Sequence, residues 1–159
     1  MIKHPFPPLY NKNSKILILG SFPSVRSREQ KFFYGHIQNR FWKVISLVFE
    51  CDQPETIEDK KQFLLENGIA IWDVIASCEI SGSSDSSIKD VKVNDISLIL
   101  KEADIRKIFV NGKTAEKYYI KYIKEQIKRD AVCLPSTSSA NAVWSLNQLV
   151  EQWSVIKNV

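Results

Sequence analysis

The sequence predicts an α/β fold, a three-layer α/β/α sandwich around a central, mainly parallel sheet of about four strands. Three observations predict it. Four apolar runs (KILILG, GIAIWDVI, IRKIFVNG and DAVCLPS) read as buried strands. Helical periodicities lie between them, and that alternation argues for βαβ units. The chain has 159 residues, 44% of them hydrophobic and 25% charged, the size and composition of one ordinary globular domain. A single domain is expected over residues 1–159, with residues 1–14 forming a proline-rich arm.

The elements follow in order. Residues 15–20 form the first strand, closed by Gly20. Residues 39–49 place Phe41, Val44, Ile45 and Val48 at helical spacing. Residues 57–66 form a second helix, ended by Asn67-Gly68 as a C-cap. Residues 68–75 are the second strand, and SGSSDSS at 81–87 reads as a flexible surface loop. A short helix at 95–103 leads to the third strand, 105–112. A long helix at 113–129, the fourth strand at 130–136 and a helix at 142–156 complete the chain.

Composition excludes several classes of function. Cys51, Cys78 and Cys133 are far apart and form no CxxC pair, so neither a zinc ribbon nor an iron–sulfur cluster is supported. No cofactor is expected. A Walker phosphate loop and GxGxxG are absent, and five glycines argue against dinucleotide use. The N-terminus lacks a signal-peptide core, and no apolar stretch approaches the ~20 residues that span a bilayer. A reduced, cytoplasmic setting with no membrane association is therefore expected. The net charge of +4 mildly favours a polyanionic partner.

Strand C-termini share one edge of a parallel sheet, so the loops after them form one crevice. After the first strand comes SFPS and then FFYGHIQNRFW at 32–42, five aromatics with His36, Gln38, Asn39 and Arg40. The second strand ends near Asp73, the third opens into Asn111-Gly112-Lys113, and the fourth into LPSTSSAN. A helix start with small residues suits phosphate, as do the hydroxyls of the last loop. Each feature has a plainer reading. Phe41 and Trp42 read as core, and His36 as a structural histidine or a site residue. Asn39 is an N-cap or a site residue. Asp73, a carboxylate at the end of a buried strand, is a turn cap or a site residue. Lys113, Lys117, Lys121, Lys124 and Lys128 make one stripe, read as a solvated face before a backbone-binding one.

The strings GSFPS (20–24), YGHIQNRFW (34–42) and LPSTSSANA (134–142) resemble the uracil-DNA glycosylase superfamily. NRFWKVI is similar to its mismatch-specific uracil/thymine enzymes. GSFPS, IWDVI, DSSI, NGK and LPSTS together resemble the hypoxanthine (deoxyinosine) branch more closely, over residues 7 to about 153. The resemblance implies an enzyme that flips a deaminated base out of DNA and hydrolyses its N-glycosidic bond; no Schiff-base lysine is evident, so a monofunctional glycosylase is expected, with a monomer as the default. Its preferred base is hypoxanthine, with uracil as the alternative substrate and a non-catalytic DNA-binding relative as the alternative class. Phe22 stands where most relatives carry a water-positioning Asn or Asp, and Leu134 where they carry a His or Asn that stabilises the departing base; resemblance to the hypoxanthine branch implies that the catalytic role belongs to the Asn of QNRFW, here Asn39. Tyr34 or Phe33 would stack on the flipped base in a pocket with Ser21, Phe22, His36 and Asp73. Ser24, Lys113, Ser136, Thr137 and Ser138 would face the DNA backbone. No bulky apolar wedge is expected at a loop tip.

Overall fold

The computed structural model describes all 159 residues. The chain opens with a two-residue strand, β1 (Ile2–Lys3), and enters the core as β2 (Ile16–Gly20). Every residue of β2 is buried, as a strand covered on both faces requires. Three short helices follow: α1 (Val25–Gln30), α2 (Phe41–Val48) and α3 (Ile57–Glu66). The next strands are β3 (Ile69–Asp73), β4 (Ile75–Glu79) and β5 (Lys89–Val93), followed by α4 (Ser97–Glu102) and β6 (Lys107–Asn111). α5 (Lys113–Tyr118) passes through a π turn at Tyr119–Ile123 into α6 (Lys124–Ile127). β7 (Val132–Leu134), α7 (Leu146–Trp153) and a 3-10 turn at Ser154–Asn158 close the fold.

The central sheet has the order β3-β2-β6-β7, and all its pairings are parallel. Its four strands are the four apolar runs of the sequence. Register sets the site: Gly20 pairs with Asp73, and Asn111 with Leu134, so these four residues end neighbouring strands along one edge. No helix is long and apolar enough to cross a membrane.

Three features depart from the expected elements. A second, antiparallel sheet of order β1-β4-β5 flanks the first. The second apolar run crosses both sheets, because Val74 and Ile75 donate to the carbonyls of Gly20 and Ser21 before the chain turns away. β5 reads KDVKV, whose lysines suit an exposed edge strand but hide it from a hydrophobicity scan. The helix expected at 113–129 is interrupted by its π turn, which shifts the lysine stripe between turns. Lys117 and Lys121 lie over the Tyr118 and Tyr122 rings, while Lys124 pairs with Asp130 and Lys128 with Glu125. The last helix begins at Leu146, four residues later than expected, with Ser145 and Gln148 forming a capping box.

α2 packs its apolar face inward: Phe41, Trp42, Val44, Ile45 and Val48 are buried, while Leu47 faces out. Trp42 Nε1 donates to the Phe33 carbonyl, and the Phe41 ring meets Trp153 edge to face. Trp153 Nε1 donates to the Pro135 carbonyl, which ties α7 to the loop after β7. Phe41 and Trp42 are therefore core, and they fix the segment that carries Asn39.

Candidate active site

A cleft of about 890 Å3 opens at the C-terminal edge of the parallel sheet. The loops after β2, β4, β6 and β7 reach it, together with Asp73 at the end of β3. All twelve site residues expected from the sequence line it, but they divide into floor, wall and rim.

The wall holds Asn39. Its Oδ1 accepts from the Phe41 N–H (2.9 Å) and from Thr137 Oγ1 (2.9 Å). Thr137 Oγ1 in turn accepts from Asn111 Nδ2 (3.0 Å), and the Thr137 N–H donates to Asn111 Oδ1 (3.1 Å). The N-cap position of α2 is Arg40, one residue later than expected, and Asn39 reaches past it to the Phe41 N–H, which holds its oxygen against the start of the helix and locks the amide. Two donors fill the carbonyl oxygen's lone pairs, so Nδ2 is the part of the amide left to the cleft. Thr137 is 0% exposed and fully engaged, which corrects the expectation that it contacts phosphate. Asn111, which the sequence offered only as part of NGK, is the buried anchor of the network.

The floor is formed by Gly20, Tyr34 and Asp73. Tyr34 has φ 51°, a left-handed conformation rare for a non-glycine residue and one that accumulates at functional sites. The next N–H, of Gly35, donates to Ser27 Oγ (2.8 Å), and the Tyr34 ring stacks on Phe41 (centroids 4.1 Å apart, 17° between planes). One face is therefore already occupied, and the hydroxyl is driven down toward Gly20. A Cβ on Gly20 would overlap Asp73 Oδ1 and stand 2.8 Å from Tyr34 Oη, so only glycine lets the two polar atoms converge there. Tyr34 Oη is buried without a hydrogen-bond partner. Burial, and then the Asp73 charge, push its phenol far above the usual range; Asn111 eases that shift without closing a hydrogen bond. The hydroxyl is a neutral donor awaiting an acceptor.

Asp73 is a buried carboxylate with a partner that sequence reasoning missed. His4 Nε2 lies 2.8 Å from Asp73 Oδ2, with both side chains about 5% exposed or less. His4 had no motif around it and comes from the arm, so only the fold brings it here. Phe33 is 2% exposed and packed edge-on between Phe6 and Phe32, leaving no free ring face. That corrects its expected role as a stacking platform. Phe22 is also buried, with the Arg28 guanidinium over its ring.

The rim is polar. Ser21 Oγ donates to Asp85, whose carboxyl is raised above its usual range by enclosure, opposed by the Ser21 hydroxyl and reinforced by the Asp73 charge. Asp85 belongs to the serine-rich segment expected to be flexible, which instead folds over the mouth. Ser83 Oγ accepts from the Val25 N–H, and Arg28 donates to the Gly82 carbonyl. Ser24 Oγ caps α1, and Ser136 and Ser138 accept from N–H groups of their own loop. His36 and Lys113 are exposed at the rim. Arg40, also missed, donates to the carbonyls of Ser138, Asn141 and Trp144 and so clamps the loop after β7 onto the Asn39 segment. On these clamped loops Ile37 and Val143 are 95% and 85% exposed, so apolar side chains do stand at loop tips.

The model of the uracil DNA glycosylase superfamily matches residues 7–157. The chain belongs to that superfamily. A protein of Methanosarcina acetivorans named hypoxanthine DNA glycosylase is 36% identical, over 99% of this chain and all of its own length. One of the same name from Methanosarcina barkeri is 33% identical over 89% of each chain. The solution NMR structure of a candidate uracil DNA glycosylase from Methanosarcina acetivorans superposes with a TM-score of 0.83 at 34% identity. It covers 99% of this chain and 98% of that one. The superfamily's α/β fold is the one found here, and the cleft lies where open parallel sheets bind their ligands.

Proposed function

We propose that this superfamily member is a monofunctional DNA glycosylase that removes hypoxanthine from DNA. The observation that carries the reading is the match of nearly the whole chain to two proteins named hypoxanthine DNA glycosylase, combined with the free amide of Asn39 in the cleft.

The chemistry fits such a cleft. A flipped nucleotide enters with its base toward Gly20 and its sugar near Asn39. The N-glycosidic bond breaks heterolytically, leaving positive charge on the sugar and the electron pair on the base. Asn39 Nδ2 donates to the oxygen of a water and holds it for attack on the anomeric carbon. With its Oδ1 filled, Asn39 acts as a donor and not as a base. The oxocarbenium-like sugar makes a strong base unnecessary, and as the new C–O bond forms the water's proton passes to solvent water, while the departing base anion takes up a proton in turn. Tyr34 Oη donates to the base as its negative charge grows. Its hydroxyl, more than its ring face, is the recognition element. Lys113 is the one lysine lining the cleft and stands exposed at the rim, which supports hydrolysis without a Schiff base. Lys113, Ser24, Ser136 and Ser138 face the backbone phosphates from the rim. Ile37 and Val143 fill the gap that the flipped base leaves in the stack.

Uracil is the second substrate this reading admits, because it presents the same ring N–H beside a carbonyl. The test is single-turnover excision from duplexes carrying hypoxanthine, uracil, xanthine or mismatched thymine. Release of hypoxanthine fastest, with an intact strand until alkali is added, is the expected result. Binding of all four duplexes with release from none would make the protein a non-catalytic DNA-binding relative.

A further inference from the structure

Deamination changes the hydrogen-bonding edge of a base in a defined way. In adenine and cytosine the ring nitrogen is an acceptor beside an exocyclic amine. In hypoxanthine and uracil that nitrogen carries a hydrogen beside a carbonyl. A reader of the deaminated edge needs one acceptor and one donor side by side, and the floor of the cleft offers such a pair, Asp73 Oδ1 and Tyr34 Oη converging over Gly20. A carboxylate can read only in the accepting sense, but it must be prevented from rotating away.

His4 supplies that restraint. Its ring lies in an aromatic box, with centroids 4.4 Å from Phe6, 6.1 Å from Phe22 and 6.3 Å from Phe33. The Phe6 N–H points at Nδ1 (3.5 Å), so the hydrogen sits on Nε2 and is donated to Asp73 Oδ2. The backbone aims the ring. The His4 N–H donates to the Ala76 carbonyl (2.7 Å), β1 pairs Ile2 with Cys78 and Lys3 with Ser77, and the terminal ammonium pairs with Glu79 (3.0 Å). Asp73 Oδ1 makes no hydrogen bond within the protein. The superfamily match begins at residue 7, so this contribution of the arm lies outside it.

We propose that His4 is a positioning residue for base recognition: by holding Asp73 Oδ2 it turns Oδ1 into the cleft as the acceptor for the ring N–H of a deaminated base. The inference rests on the glycosylase reading and deepens it. A site built around such hydrogen bonds rejects an analogue with reversed polarity strongly, because its own buried groups are left unpaired. Adenine would set a lone pair against Asp73 and an amine against the Tyr34 hydroxyl.

The test is a double-mutant cycle on full-length protein, with thermal unfolding of every variant alongside. His4→Ala is expected to slow single-turnover release of hypoxanthine by about tenfold or more while duplex binding changes less than about twofold. His4→Gln, whose amide can donate to the same oxygen, should restore most of the rate. In an Asp73→Asn background, His4→Ala should have no further effect, since the two act as one unit. Additive losses, or His4→Ala within about twofold of wild type, would overturn the proposal. If the wild-type protein releases no base at all, the glycosylase reading fails. His4 is then judged by titrating free hypoxanthine into labelled protein: a shift of the His4 ring nitrogens that Asp73→Asn abolishes supports the proposal, and no shift overturns it.

Discussion

In the proposed reaction a single amide decides how the cleft treats a water. Asn39 spends its oxygen on the Phe41 N–H and on Thr137, so what it offers a substrate is an N–H pair. Removing such an oriented donor from a site where charge develops costs about 10²–10³ in rate. Asn39→Ala should therefore lose about that factor in single-turnover release with duplex binding retained. Asn39→Asp keeps the oxygen held by the start of α2 but replaces the free donor with an acceptor, and it should fall nearly as far. A variant Asp that kept its activity would show that the acceptor, and not the donor, does the chemistry.

At the scale of elements, the Thr137 hydroxyl joins β6, the loop after β7 and the start of α2. Thr137→Val keeps the volume but leaves buried amide groups of Asn39 and Asn111 short of partners. The expected cost is about 1–3 kcal/mol, read as a lower denaturation midpoint at unchanged m, with slower base release because Asn39 is no longer locked. The interrupted helix offers a second test. Tyr119 Oη donates to the Arg129 carbonyl (2.7 Å), and burial pushes its phenol up to about 12 from an ordinary 10.0. The unfolded chain releases that proton first, so between those values it binds fewer protons than the folded protein and stability falls as pH rises. Tyr119→Phe should lose about 1 kcal/mol below pH ~10 and then show a shallower decline toward pH ~12. Equal slopes for the two proteins would contradict this.

At the scale of the whole molecule, the net charge of +4 is modest, and most lysines of the long stripe are engaged locally. Attraction to DNA should therefore come from few contacts near the cleft. Lys113→Gln should flatten the plot of log affinity against log salt by about 0.9, as expected for one phosphate, without changing the preference between bases. A larger change would mean that Lys113 organises other contacts, and no change that it meets no phosphate. The arm is part of the same architecture. Its two-residue strand is too short to be stable alone, yet it extends the small sheet and carries Phe6 and His4 under the cleft.

Continuous apolar runs can be read along the chain, because a strand buried on both faces needs uninterrupted hydrophobic residues. Hence KILILG, GIAIWDVI, IRKIFVNG and DAVCLPS marked the parallel sheet, and with it the edge where the cleft lies. The aromatic and polar run at 32–42 marked one wall for a similar reason, since its composition suits neither a plain core segment nor a plain loop. Features that depend on pairing between distant segments could not be read this way. β5 looks like a polar loop until β4 lies beside it. SGSSDSS looks mobile until Arg28 and Ser21 hold it. His4 looks like a stray residue in a proline-rich arm until β1 pairs with β4 and brings its ring to Asp73. Sequence alone determined which strands form the parallel sheet and that the segment carrying Asn39 follows the first of them. Tertiary structure decided which end of the Asn39 amide faces the cleft, because hydrogen bonds across 98 residues of chain are made only when the fold closes.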